Sequence, residues 1–354
     1  MCLGTECTVH EPQACLVLNF YLQERLMRKT TIVFNRRQCL SLFAGAMASK
    51  LANAQVSFPT KPITIIVPYT AGGASDVGAR LFQNELSKTL GQSVVIDNVS
   101  GAGGALGVQK LLRSPADGHT LIYGSLSECV LVPLINPAAG YKTEDFAAIA
   151  LMSTTPAALV VKPDFPANTI EELIVYARAN PGKLSYGSPG IGTFQHLVAE
   201  TIKNRTGTFM LHIPYRGGGN IMADVIAGQV DVGVTSAPNI IGLAAQGRIK
   251  VLGVTTAERL QVLPQVVSLR ETPSLKGLDL QTWGMFLAPK GVPDAVLKKL
   301  NDALNIINAQ PSMVEMRRKL GSTVPGQFNV AQTQSFLLRE RDSYRASASR
   351  VKPE

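Results

Sequence analysis

The sequence predicts an α/β protein of two lobes with a cleft between them. Three observations carry this expectation. Short β-rich runs alternate with helical patterns, the alternation occurs in two blocks joined by one long extended run, and glycine turns follow several of the β-rich runs. Open α/β sheets bind ligands at such turns, at the carboxyl ends of their strands.

In the first block, ITIIVPY reads as a buried strand because β-branched residues dominate it. ARLFQNELSKTLG follows with helical spacing and a terminal glycine, then come SVVIDNV, the helical GALGVQKLLRS and the strand-like HTLIYGS. Strand, helix, strand in that order implies parallel strands with crossover helices. The second block repeats the style with KLSYGSPG, a helix from about Thr193 to Asn204, FMLHIPY, a helix near Ile221 to Ala227, VDVGVTS and IKVLGVTT.

Between the blocks, FAAIALMSTTPAALVVKP is extended and long enough to cross from one lobe to the other, and KVLGVTTAERL is the expected return. The tail carries two helical patterns, PDAVLKKLNDALNIINA with proline at its first turn and VAQTQSFLLRERDSYRASAS, both assigned to the first lobe. The expected division is residues 55–157 with 256–354 in lobe 1 and residues 158–255 in lobe 2.

Residues 1–54 read as an export leader. MRKTTIVFNRRQCLSLFAGAMASKLANAQ gives a basic segment, an apolar stretch and an A-x-A site ending at Ala54. Arg36 and Arg37 before the apolar stretch leave the route open between the general secretory and twin-arginine pathways, and Met27 is a candidate initiator. Four of the five cysteines lie in this leader, so Cys129 is the one thiol expected after cleavage and an internal disulfide framework is excluded. No later stretch approaches the roughly 18 apolar residues of a membrane span.

The chain has 354 residues and a net charge of +9, of which the leader supplies +3. The remainder is spread along the chain with no basic cluster interleaved with aromatics, so a nucleic-acid partner is not expected. A mild positive field favours anionic small molecules.

PYTAGGASD places Gly72 and Gly73 between an apolar run and a helical pattern, with Ser75 or Asp76 available to cap the helix. It lacks the lysine and following hydroxyl of a phosphate-binding P-loop, and neither GAGGALG nor GSPGIGTFQH has the spacing of a dinucleotide fingerprint. SPGIGTFQH opens a helix in the second block, with Thr193 as its cap and His196 in its first turn, as a ligand contact or a structural residue. HIPYRGGG makes a third glycine turn, in which Tyr215 is a candidate cleft wall. If the lobes face each other, two helix N-termini converge on one cleft, where free amides and the helix dipole favour an anion.

Catalytic patterns are thin. His10, His119, His196 and His212 form no H-E-x-x-H or clustered zinc motif, and Ser188 does not sit in a G-x-S-x-G elbow. No metal and no cofactor is expected, and Ser188 with His196 is the one nearby pair for an exported hydrolase acting on a carboxylate ester or amide.

Taken together, PYTAGGASDVGAR, VSGAGGALG, DGHTLIYGS, YGSPGIGTFQHLVAE, HIPYRGGGNIMADVIAGQVDV and GVTTAERL resemble the Bug family of extracytoplasmic solute receptors, over most of the chain from Phe58. Val267 departs from the proline that the family pattern suggests there. The resemblance implies a two-lobed periplasmic binding protein of type II-like fold, each lobe a mainly parallel sheet flanked by helices. It also implies a monomer that closes on a small carboxylate, a di- or tricarboxylate, amino acid or aromatic acid, and delivers it to tripartite tricarboxylate-type membrane subunits. Carried over by motif, the first-lobe ligand residues are Tyr69, Thr70, Ala71, Gly72, Gly73 and Asp76, with Ser125 nearby. Those of the second lobe are Ser188, Gly190, Gly192, Thr193 and His196, with Tyr215 and Ser236 as walls. A receptor that presents its closed form to a signalling system would carry the same residues.

Overall fold

The computed structural model describes residues 58–348; the leader, its cleavage point near Ala54 and the last six residues lie outside them. The first strand, β1 (Ile63–Val67), is buried along nearly its whole length. It leads into α1 (Ala74–Leu90), which ends at Gly91 in the left-handed region with φ 68°, where the Gly91 N–H donates to the Ser87 carbonyl. β2 (Val94–Asn98), α2 (Ala105–Leu112) and β3 (Thr120–Ser125) follow, and β2 and β3 flank β1 in parallel.

After β3 the chain makes a π-helical turn, Ser127–Leu131, that runs into the short α3 (Val132–Ile135). It then enters β4 (Phe146–Val161), a 16-residue strand that is almost entirely buried. β4 is the long extended run expected from the sequence to join the two blocks. Next come α4 (Ile170–Ala179), β5 (Ser185–Ser188), α5 (Phe194–Thr206), β6 (Leu211–Pro214), α6 (Gly218–Ala227), β7 (Val232–Ser236), α7 (Ile241–Ala245) and β8 (Lys250–Val254). β5 pairs in parallel with both β6 and β7, giving a second parallel trio.

The chain returns through β9 (Gln281–Pro289), then α8 (Asp294–Asn308), α9 (Pro311–Lys319) and α10 (Val330–Ala348). β9 runs antiparallel to β3 and to the first part of β4, whereas the second part of β4 runs antiparallel to β7 and β8. The sheet order is therefore β2-β1-β3-β9-β4-β7-β5-β6, with β8 on β4. Each parallel trio lies at one end, and the two antiparallel crossing strands join them in the middle.

KVLGVTTAERL was the expected return. In the structure its strand portion, β8, stays on the second part of β4, and the β-rich QTWGMFLAP segment makes the return as β9. α4 and α9 were not anticipated from the sequence. α4 nonetheless carries a start signal, since the Thr169 hydroxyl accepts the Glu172 N–H and the Glu172 side chain accepts the Asn168 N–H.

Apolar side chains explain the layering. Phe82 and Leu86 of α1 pack with Leu300 and Leu304 of α8 over Ile65 and Phe286 of the sheet. Ile122, Leu131, Phe146, Leu159, Phe194 and Trp283 belong to a continuous core that extends through both ends of the sheet. Ile221, Val225 and Val254 close a smaller core beside β4.

Candidate functional site

The turn after β1 is shaped by two residues. Gly72 takes φ +78°, a left-handed conformation that favours glycine, and Gly73 is the extended N-cap of α1 without a side-chain cap. Asp76 caps nothing in the usual sense. Buried in the first turn, its carboxylate accepts the Gly72 N–H at 2.9 Å, the Arg80 Nε–H at 2.8 Å and the Asn98 amide at 3.0 Å. Burial alone would raise its pKa, but these hydrogen bonds hold the carboxyl below its usual range. The turn is thus tied to α1 and β2, while the first amides of the helix have no intrahelical partner.

The end of β3 is organised by Glu128. Its carboxylate accepts the Ser125 N–H at 2.5 Å, the Ser125 hydroxyl at 2.7 Å and the Tyr69 hydroxyl at 2.8 Å. Glu128 is fully buried, and burial pushes its carboxyl up to about 7 against the pull of those donors.

In the second trio, Thr193 is the N-cap of α5, accepting the His196 N–H, and its hydroxyl donates to the Gly190 carbonyl at 2.7 Å. Gly192, at φ +79°, donates its N–H to His196 Nδ1 at 3.1 Å. Buried His196 stacks on His212 with centroids 4.3 Å apart, and His212 stacks on Tyr186 at 4.8 Å. Burial lowers the pKa of both histidines, that of His212 to about 4, so the column is neutral at physiological pH.

Turns from the two ends of the sheet touch. The Thr70 N–H donates to the Arg216 carbonyl and the Thr70 hydroxyl meets Asn220 Oδ1 at 3.2 Å. The Phe194 N–H at the start of α5 donates to the Ser127 hydroxyl at 3.0 Å. A Cβ on Gly103 would come within 2.9 Å of the Ile191 carbonyl, and one on Gly190 within 3.1 Å of Gly103 Cα. Missing side chains at these glycines are what let the facing turns approach.

Between the turns lies a cavity. Tyr69, Gly73, Ser125 and Ser236, all named from the sequence, line it together with Ala74 and Ser75 at the start of α1. Gln195 lines it as well and donates to the Ser236 hydroxyl at 2.8 Å. The other residues named from the sequence sit elsewhere. Ala71 and Gly72 face solvent and Thr70 contacts Asn220. Asp76, Gly192, Thr193 and His196 hold the turns in shape, and Gly190 packs on Gly103. Tyr215 donates to Asp224 at 2.7 Å and borders a separate groove with Gly101 and Gly190.

Ser188 bonds to His212 Nε2 at 2.7 Å, not to His196. Both are buried, and His212 Nδ1 has no hydrogen-bond partner, so no carboxylate orients the ring as an acid–base relay requires. Among the described residues no group of His, Cys, Asp and Glu is arranged to hold a metal ion.

The site residues that sequence reading missed come from distant segments. Ser127 lies in the π-helical turn, Thr155 and Thr282 lie on the crossing strands, and Asn239 follows β7. Gln195 had a signal of its own, its place directly after the Thr193 cap and Phe194, within the first turn of a helix aimed at the cleft.

The profile of the family described as "Tripartite tricarboxylate transporter family receptor" matches residues 78–343. The chain belongs to this family. It is 37% identical over 294 residues, 82% of this chain and 87% of the relative, to the "UPF0065 protein in tcbD-tcbE intergenic region" of Pseudomonas sp. strain P51. The solved structure of periplasmic binding protein BugD is 30% identical with a TM-score of 0.79 and covers 84% of this chain and all of that one. The structure of R. palustris Rpa4515 with adipate is 31% identical with a TM-score of 0.79, covering 82% of this chain and 97% of that one. The chain is thus a solute receptor of the Bug type with the α/β fold of periplasmic binding proteins.

Proposed function

We propose that this receptor captures a small carboxylate in the cavity between the turns and closes over it, and that the closed form is recognised by tripartite transporter membrane subunits. The observation that carries the reading is the cavity wall itself. The amide-rich start of α1 at Gly73, Ala74 and Ser75 meets the hydroxyls of Ser127 and Ser236 across a space lined by both ends of the sheet. Amides and hydroxyls at a helix N-terminus satisfy a carboxylate without a charged side chain.

The lobes in this reading are residues 55–157 with 256–354 and residues 158–255, and β4 and β9 are the segments that flex between open and closed forms. The receptor acts as a monomer in the periplasm after removal of its leader. The adipate bound to Rpa4515 supports a carboxylate of this general kind.

Thermal unfolding of the chain from Gln55 with a panel of small carboxylates, each also assayed for turnover, tests the reading. A ligand that binds only the folded state raises the midpoint. A raised midpoint without turnover is expected, and turnover of the bound compound would replace the receptor reading with an enzymatic one.

A further inference from the structure

The cavity continues past the turns, along α1 and over the crossing strands, and its far wall includes Arg317 of α9. Arg317 is 2% exposed. Its guanidinium donates to the Met152 carbonyl at 3.1 Å, to the Asn308 carbonyl at 2.7 Å and to the Asn308 side chain. All three acceptors are neutral. The guanidinium carbon lies 5.4 Å from the Phe82 ring centroid, another neutral neighbour.

Two polar atoms on this wall have no partner. Arg317 Nε and the Thr282 hydroxyl are both buried without a hydrogen bond. A guanidinium stays charged in proteins, and a buried cation without a counter-charge is strongly disfavoured. Burial lowers the pKa of Arg317, against an opposing influence of the Tyr123 phenol.

Resting on the carboxylate-receptor reading, we propose that Arg317 Nε and Thr282 receive a second anionic group of the same ligand, so that the bound solute is an elongated dicarboxylate. One carboxylate lies on the start of α1 and the other at Arg317. Ala74 and Phe82 are eight residues apart on α1, about 12 Å along a helix at 1.5 Å per residue. The wall between them includes Val77, Leu81 and Phe82, apolar groups suited to a methylene spacer. Arg317 is then a specificity-determining residue, which sets the charge at the distal end of the solute.

The test is calorimetric titration of the chain from Gln55 with succinate, adipate and suberate, and with butyrate, hexanoate and octanoate as chain-matched monocarboxylates. At least one dicarboxylate is expected to bind tenfold or more tightly than its matched monocarboxylate. In Arg317→Met that ratio is expected to collapse toward one, and in Thr282→Val, which keeps the fold if the arginine variant does not, it falls several-fold. Equal binding of matched pairs by the unmodified chain, or a ratio unchanged in the folded variants, overturns the distal anion site and leaves the carboxylate receptor intact. Failure of all six compounds to bind overturns the distal site together with the reading it rests on.

Discussion

The Tyr69 hydroxyl donates to the Glu128 carboxylate at 2.8 Å, so a wall residue of the cavity is held by a buried acid that the cavity does not reach. Ser125 is held by the same acid through both its N–H and its hydroxyl. Glu128 thereby fixes two residues of the cavity wall by accepting their hydroxyl hydrogens, and it adds a negative charge behind them when it ionises.

A pH dependence of binding follows. Burial raises the Glu128 pKa to about 7, so the carboxyl is largely protonated below that pH and charged above it. An anionic ligand favours the neutral form, and affinity is expected to weaken several-fold as pH rises from about 6 to 8. Titration calorimetry across this range checks it, and Glu128→Gln should flatten the profile.

The turn after β1 depends on Asp76. Asp76→Ala leaves the Gly72 N–H, the Arg80 guanidinium and the Asn98 amide without their shared acceptor. The three donors are only part-buried, and losing their hydrogen bonds to a charged acceptor costs about 1–3 kcal/mol. A lowered unfolding midpoint and weakened carboxylate binding are expected together, with Asp76→Asn intermediate in both.

The approach of the facing turns depends on the absence of a side chain at Gly190. A Cβ there would stand 3.1 Å from Gly103 Cα, on a residue whose φ of +138° already disfavours other amino acids. Gly190→Val is expected to hold the facing turns apart and reduce affinity tenfold or more. Small-angle scattering with saturating ligand would then give a larger radius of gyration than that of the unmodified chain.

Acid stability is expected to reflect the ring column. His212 has its pKa depressed to about 4 by burial and by neighbouring His196, against about 6.5 in an unfolded chain. The unfolded state therefore binds the proton first. Its contribution to stability is intact above about pH 6.5 and is lost as pH falls toward 4. The unfolding midpoint measured over this window should slope less steeply in His212→Phe, which keeps the stack and removes the titrating site.

Much of this was legible in the sequence where local chemistry decides structure. Both parallel trios and the crossing strand β4 follow from β-branched runs and helical spacing, and the Thr193 cap follows from its place before an apolar periodic segment. Tyr69, Gly73, Ser125 and Ser236 reach the cavity because each ends or follows a strand whose carboxyl end faces the cleft. The rest depended on tertiary contacts. Gly190 serves the facing Gly103, which lies 87 positions earlier in the chain. Glu128 looks like a surface acid until the π-helical turn buries it under Tyr69. Arg317 lies in the charge-rich PSMVEMRRK, a stretch with no apolar stripe to announce a helix or a buried face.

Trp283, the sole tryptophan of the sequence, lies on β9 at the cavity wall, with its indole N–H donating to Glu340 of α10 at 3.0 Å. Its emission therefore comes from one known spot, on a crossing strand and beside the cavity. Receptor occupancy can be followed by intrinsic fluorescence in the unlabelled protein, and stopped-flow mixing with a carboxylate would resolve capture from any slower closing step as separate phases of a single chromophore.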